Sequence, residues 1–438
     1  MMPHQAKIIS RLKYGLASLL IFALCLIFWP DIQEAFYSIP VHFISEKDFQ
    51  HAVTSSKTAK VTDDEKVFSN QIIPSNDLLD DMRLMIYTLD NGYAGKFRMD
   101  SKTYQKQRSK LLKLGYLSKK PLSRKQLIAE IKIILSTFPD KHLGVWNAKQ
   151  THWLLKKNRK KLPFNMVPHA WKFNTLALPN HKIPYIKLFY FPQKSNQQWN
   201  GFFKQVNLIL HAHTPFLLDL RDNPGGDSAV GQRLFNLFLN GKQRFNKAPN
   251  ALKQKISLVS KTANSIFCSS MPMQPDTCNI IEKAQKNKQE KRLAIMKLAD
   301  PDDSSADVKK LKPYLWSTAL TPDQPYYYDP EKGFNQTIYI LINENCGSSC
   351  ELFTLIMKAY YPFTVLVGQP TAGALHFGDV GFMLLPKTKI LVQIPTSIFE
   401  WSLPVEEKKG INPDVWVNPK DDALETAKKL ISKRLSCA

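Results

Sequence analysis

Acidic residues are nearly missing from one stretch of this sequence. Between Lys102 and Lys161 only Glu130 and Asp140 stand against 17 lysines and arginines, within a 438-residue chain of net charge +23. A concentrated basic excess bears on partners and raises nucleic acid as one of them. The chain carries no zinc-ligand spacing, no RNA-binding aromatic motif and no recognition-helix pattern to accompany it, so no nucleic acid is expected. A solvated basic face is the first reading, and contact with anionic lipid headgroups the second. Internal repeats and long low-complexity tracts are missing too. With 17 Gly, 28 Pro and 22% charged residues the composition is globular rather than disordered, and 44% hydrophobic residues can bury a large core in two or three domains. No metal or cofactor is expected.

Long apolar runs are also scarce. The one present, "YGLASLLIFALCLIF", follows Lys7, Arg11 and Lys13. It is long for the core of a signal peptide and slightly short for a span. No small-x-small cleavage site follows, since Trp29, Pro30 and Asp31 come next. The basic flank belongs in the cytoplasm. Residues 1–45 therefore read as an uncleaved anchor, with a cleaved signal as the alternative. The expected location is the bacterial cell envelope, anchored in the inner membrane and facing the periplasm, or secreted to it. Cysteines number only six. In an oxidising compartment Cys268 and Cys278, and separately Cys346 and Cys350, could pair, or all four could be reduced thiols. Cys25 lies in the apolar run and Cys437 at the tail.

Residues 46–75 are polar and read as a linker. Apolar residues at three- and four-residue spacing predict three helices over about 76–138, within a helical domain at 76–150. From about 184 strands and helices alternate: "IPYIKLFYF", "NQQWNGFFKQVNLILHA", "PFLLDL" and "AVGQRLFNLFL", then "TIYILIN", "SCELFTLIMKAY" and "FTVLVG". This texture predicts an α/β core over 151–438, interrupted by a Lys-rich insertion at about 250–315.

Three stretches carry candidate chemistry. In "LLDLRDNPGGDS" a buried strand ends in a turn whose Gly225 and Gly226 can present bare N–H groups to an oxygen. Asp219, Arg221 and Asn223 are expected to hold that turn. In "INENCGSSCELF" Ser348 and Glu351 fit a capping box ahead of an apolar helix. A hydroxyl at that first turn also sits where the helix dipole favours an alkoxide, as in a nucleophile elbow. In "FPDKHLGVW", His142 is a base that such a serine would need.

Taken together, these stretches resemble the C-terminal processing (tail-specific) serine peptidases, in their tricorn-like branch. "DLRDNPGG" is similar to the family's Asp-Leu-Arg-x-Asn-Pro-Gly-Gly, and "CGSSCE" to its Thr-x-Ser-Ala-x-Glu. "GQPTAG" is similar to Gly-Glu-x-Thr-x-Gly, and "EKKGINPDVWV" to Glu-Gly-x-Gly-Ile-x-Pro-Asp. "DKH" resembles the Asp-Gly-His that supplies the histidine. The implied fold is a ClpP/crotonase-like α/β core behind a helical domain, with no room for the PDZ domain of many relatives. The implied roles are Ser348 as nucleophile, His142 as general base and Glu407 as its orienting partner, with Asp140 as second choice. The N–H of Ser349 and that of Gly225 or Gly226 would form the oxyanion hole. Two departures stand out. Ala374 occupies the place of the lysine used by the Ser-Lys branch, which leaves His142, with His376 in reserve. Lys141 replaces the glycine of Asp-Gly-His. These departures motivate an alternative: a catalytically inactive relative that binds peptide or a partner in the envelope. A basic membrane-surface module is a third possibility. The expected substrate is peptide or unfolded protein.

Overall fold

A computed structural model describes residues 44–55, 64–117, 121–157, 169–179, 181–192, 198–212, 214–239, 255–258, 262–263, 265–266, 316–318, 334–400 and 406–436. The apolar N-terminal run with Cys25, the Cys268 and Cys278 pair, Cys437 and nearly all of the Lys-rich stretch lie outside these residues. No helix among the described residues is long and apolar enough to cross a membrane.

The stretch expected to be a linker contains two helices, α1 (Glu46–Ser55) and α2 (Glu65–Asn70). Its polar composition conceals two anchors, since Phe49 and Phe68 are buried in the helical core. Asp64 caps α2 by accepting the N–H groups of Lys66 and Val67. Next come β1 (Ile72–Ile73), α3 (Ser75–Gly92), α4 (Ser101–Leu117), β2 (Leu122–Ser123) and α5 (Arg124–Leu135), so the three expected helices are present. On α3, Leu78, Met82, Met85, Ile86 and Leu89 form one apolar stripe in a core shared with Leu111 of α4 and Ile131 of α5. Beyond α5 the chain passes through Asp140 and His142 into β3 (Gly144–Val145) and α6 (Ala148–Lys157).

Sheet structure begins earlier than the sequence texture indicates. Strand β4 (Trp171–Leu178) pairs antiparallel with β5 (His181–Leu188). As an edge strand it is largely solvent-facing, so it lacks the apolar run that marks its buried neighbours. After it come α7 (Gln198–His211), β6 (Phe216–Asp219), α8 (Ser228–Phe238), β7 (Lys255–Leu258), β8 (Trp316–Thr318) and β9 (Ile338–Ile342). The chain closes with α9 (Ser349–Tyr360), β10 (Thr364–Gly368), β11 (Phe377–Leu384), β12 (Leu391–Glu400), β13 (Val415–Trp416) and α10 (Ala423–Ser436).

Six strands form one sheet in the order β13-β10-β9-β6-β5-β4, parallel except for β4. Strand β9 is apolar throughout because both its faces are covered. Ile338, Ile340 and Ile342 enter the core built with α7, α8 and α9, while Tyr339 and Leu341 meet Ala427 and Ile431 of α10. Full burial is worth roughly 1.5–3 kcal/mol per such side chain.

A second sheet, β11-β12-β7-β8 with β3 also paired to β12, packs on the helical domain. Met383, Ile390, Val392 and Ile394 of its hairpin lie in the helical core. Two buried charges grip the hairpin turn. Asp81 accepts the N–H groups of Lys387 and Thr388, and Arg124 donates to the Thr388 carbonyl at 2.7 Å and to the Phe68 carbonyl. Gln393 of β12 donates to the His142 carbonyl at 2.8 Å, which fixes the segment leaving α5 against this sheet.

Candidate active site

Strand β9 delivers the chain into a tight turn before α9. Ser348 occupies that turn at φ +55° and ψ −121°, a region that a residue with a Cβ rarely adopts. Surrounding bonds hold it there. Gly347 N–H donates to the Asn223 carbonyl at 3.0 Å, Ala372 N–H to the Cys346 carbonyl at 2.9 Å, and Ser348 N–H to Glu351 Oε2 at 3.1 Å. Cys346 and Cys350 form a disulfide across the turn. Paired in this way, Cys350 offers no thiol nucleophile.

Glu351 does more than its place in a capping box suggests. Fully buried, it also accepts the Thr371 hydroxyl at 2.6 Å and the N–H groups of Gly373 at 2.6 Å and Ala374 at 2.7 Å. Burial pushes its carboxyl upward against these donors. A single acid inside an apolar helical run, standing at the glutamate of the Thr-x-Ser-Ala-x-Glu pattern, is the sequence signal of this role. Ala374, in the place of the family lysine, is thus tied through its backbone to the turn that carries Ser348.

The glycine turn packs directly on Ser348. Gly225 has φ +100°, and a Cβ there would stand 2.7 Å from the Gly347 oxygen, 2.8 Å from Ser349 N and 2.9 Å from Ser348 Cβ. At Gly226, φ is +128° and a Cβ would overlap the Phe191 carbonyl. No other residue type fits either place without displacement. Asn223, fully buried, accepts the Gly225 N–H at 2.9 Å and donates to the Leu188 carbonyl at 3.0 Å. The expectation for Gly225 is therefore corrected: its N–H is spent on Asn223. Gly226 and Ser349 are the remaining candidates, since no hydrogen bond from either N–H is found among the described residues. The Ser349 hydroxyl donates to the Gly226 carbonyl at 2.7 Å, joining the two turns. Asp219 pairs with Arg221 and Lys187, consistent with a bracing role, and the His211 ring meets the Asn207 carbonyl.

His142 comes from a third element, and distant parts of the chain meet around it. Asp140, His142 and Glu407 each place a donor atom within 4.8 Å of the other two. Among the described residues this is the one group of imidazole and carboxyl side chains spaced closely enough to hold a metal ion. Asp140 Oδ1 accepts the His142 backbone N–H at 2.7 Å and stands 4.0 Å from its Nδ1. His142 Nδ1 and Asp140 Oδ2 are buried, with no hydrogen-bond partner found among the described residues. Burial lowers His142 to about 4, and burial, aided by the nearby Glu407, raises Asp140 to about 7. Glu407 is raised by burial as well, although its Oε2 accepts the N–H groups of Leu375 and His376. The imidazole is thus held uncharged near neutral pH, beside two carboxyls whose hold on a proton burial strengthens. Glu407 and Asp140 both remain within reach as orienting partners. His376 is half-buried, with Nδ1 3.1 Å from the Phe399 carbonyl. Lys141 reaches from this segment to the Ala372 carbonyl. His142 is therefore linked through the 371–376 loop and Glu351 to the serine turn.

Comparison with known protein families reaches the glycine turn, the serine turn and Glu407, and stops short of the Asp140–His142 segment. The model of peptidase family S41 matches residues 182–417. Among solved structures, mature CPAF complexed with lactacystin is 12% identical with a TM-score of 0.49, covering 83% of this chain and 98% of its own. A lipoprotein from Streptococcus agalactiae is 14% identical with a TM-score of 0.42, covering 83% and 99%. The photosystem II D1 C-terminal processing protease is 15% identical with a TM-score of 0.31, and this chain spans 53% of its length. With the family model matching more than half of its length, the chain belongs to peptidase family S41 and is a serine-type peptidase.

Proposed function

We propose that this protein is an exported, membrane-anchored endopeptidase that cleaves by acyl transfer at Ser348. The observation that carries the reading is the meeting of Asp140, His142 and Glu407, all donor atoms within 4.8 Å, on the loop system that braces the serine turn. Uncharged His142 takes the Ser348 proton as the hydroxyl attacks a peptide carbonyl. Glu407, with Asp140 beside it, orients the imidazole and balances the charge that develops on it. The Ser349 and Gly226 N–H groups receive the oxyanion, and water then releases the acyl-enzyme. Among the described strands β11 lies at the end of its sheet, and it begins beside His376, which suits an extended peptide added along its unpaired edge. Its substrate is peptide or unfolded protein. Residues 1–45 hold the body at the periplasmic face of the inner membrane. The lysines of α4, Lys102, Lys106, Lys110 and Lys113, are exposed at helical spacing and suit anionic lipid headgroups.

A second reading, a peptide-holding relative without turnover, draws on one observation. Burial holding His142 at about 4 makes it a weak base. A fluorophosphonate probe separates the two. Labelling that disappears in Ser348→Ala, survives Ser349→Ala and slows by roughly 10²–10⁴-fold in His142→Ala supports the peptidase. Absence of labelling under every redox condition favours the binder.

A further inference from the structure

Resting on the proposed role of Ser348, we infer that Cys346 and Cys350 are positioning residues. Their disulfide holds the serine turn in its working shape, and reduction to two thiols slows the peptidase. The bond closes a ring of five residues, Cys346 to Cys350, with Ser348 at its centre. An ordinary serine at a helix start has extended backbone and turns its oxygen to the first helical N–H groups. Ser348 departs from that backbone shape at φ +55° and ψ −121°, so relaxation toward an ordinary cap shifts its Cβ and hydroxyl relative to the glycine turn packed against them.

Three features concentrate the constraint on this turn. Both cysteines are fully buried in the core beneath it, so the bond is not an accident of the surface. The turn rests on Gly225 with no room for even a methyl group between them, so movement at Ser348 also moves the Ser349 N–H relative to Gly226. The hydrogen bonds of Gly347 and Ala372 anchor the first half of the ring, and Glu351 anchors the second through the Ser348 N–H. The Cys350 N–H donates to the Gly347 carbonyl at 3.0 Å across the turn, and the disulfide adds a covalent cross-link between its two ends. Reduction by a dithiol balances simply. One thiolate attacks a cysteine sulfur and expels the other, and the second thiolate then closes the reagent into a cyclic disulfide. Two electrons and two protons pass to the cysteine pair.

The test uses the full chain and a peptide substrate. Activity is measured before and after dithiothreitol, with alkylation and mass measurement reporting the state of both thiols. Reduction should lower kcat roughly 5- to 100-fold, the rate equivalent of releasing one strained backbone residue, with KM nearly unchanged. Reoxidation should restore it. Cys346→Ala/Cys350→Ala should show the lowered kcat and no response to dithiothreitol, and it decides the matter if the native bond resists reduction. Cys350→Ser replaces it should that variant fail to fold. The inference is overturned by unchanged kcat in protein shown to be reduced, or by a folded double variant with wild-type kcat. A loss of rate accompanied by a higher KM and lost secondary structure also overturns it. Failure of the serine reading is separate, because it shows as oxidised protein that the fluorophosphonate probe does not label.

Discussion

Replacing Asp140 by asparagine should make the stability of this protein depend on pH in a way the wild type avoids. In the fold Asp140 titrates near 7 and His142 near 4, whereas in the unfolded chain they titrate near 3.8 and 6.5. The raised carboxyl contributes stability that is complete below about 3.8 and lost as pH rises through 7. The lowered imidazole contributes stability that is complete above about 6.5 and lost as pH falls through 4. Between about pH 4 and 6.5 both states of the pair therefore hold one proton: on the carboxyl when folded, on the imidazole when unfolded. The two slopes, each about 1.4 kcal/mol per pH unit, oppose one another. The asparagine side chain would keep the acceptor for the His142 N–H and remove one slope. The stability of Asp140→Asn relative to wild type should then rise by ~3 kcal/mol from pH 4 to 6.5. Urea unfolding of both proteins at several pH values in that window measures the difference. Parallel curves would refute the picture of a neutral buried pair and favour an ion pair at the site.

Gly225→Ala places a methyl group against the Gly347 oxygen, Ser349 N and Ser348 Cβ at a φ of +100°. Overpacking and backbone strain of about 1–3 kcal/mol each should lower both kcat and stability, read by peptide hydrolysis and urea unfolding. Glu351→Gln replaces one of two carboxylate oxygens with a donor, opposite N–H groups of Ser348, Gly373 and Ala374 that need acceptors. A loss of about 1–3 kcal/mol per unpaired N–H is expected, seen as a lowered unfolding midpoint together with slower fluorophosphonate labelling.

What could be read from the sequence follows the range over which each signal acts. The apolar run of β9 and the three- and four-residue spacing of α3 are local patterns, and both elements form where those patterns stand. The glycine turn and the Ser348 turn were also legible, because unusual backbone requires unusual residues nearby. Elements made by tertiary contact were not. Helices α1 and α2 hide in polar sequence with one buried phenylalanine each, and β4 is largely exposed. The spent N–H of Gly225 was invisible for the same reason, since its acceptor is a side chain whose direction depends on the Leu188 carbonyl. Nothing local places Glu407 beside His142. That pairing came from resemblance of motifs, and the chain between them carries no mark of it.

The grip of Arg124 and Asp81 on the β11–β12 turn has a practical consequence. Although the chain reads as a helical unit followed by a peptidase core, residue 151 is no place to cut. A protein beginning there would lose the cover over Met383, Ile390, Val392 and Ile394 and expose an oily sheet to water. It would also leave the hairpin loop amides that Asp81 receives without their acceptor. The leading helices are one wall of the enzyme, and a truncation that removes them should be insoluble rather than merely inactive.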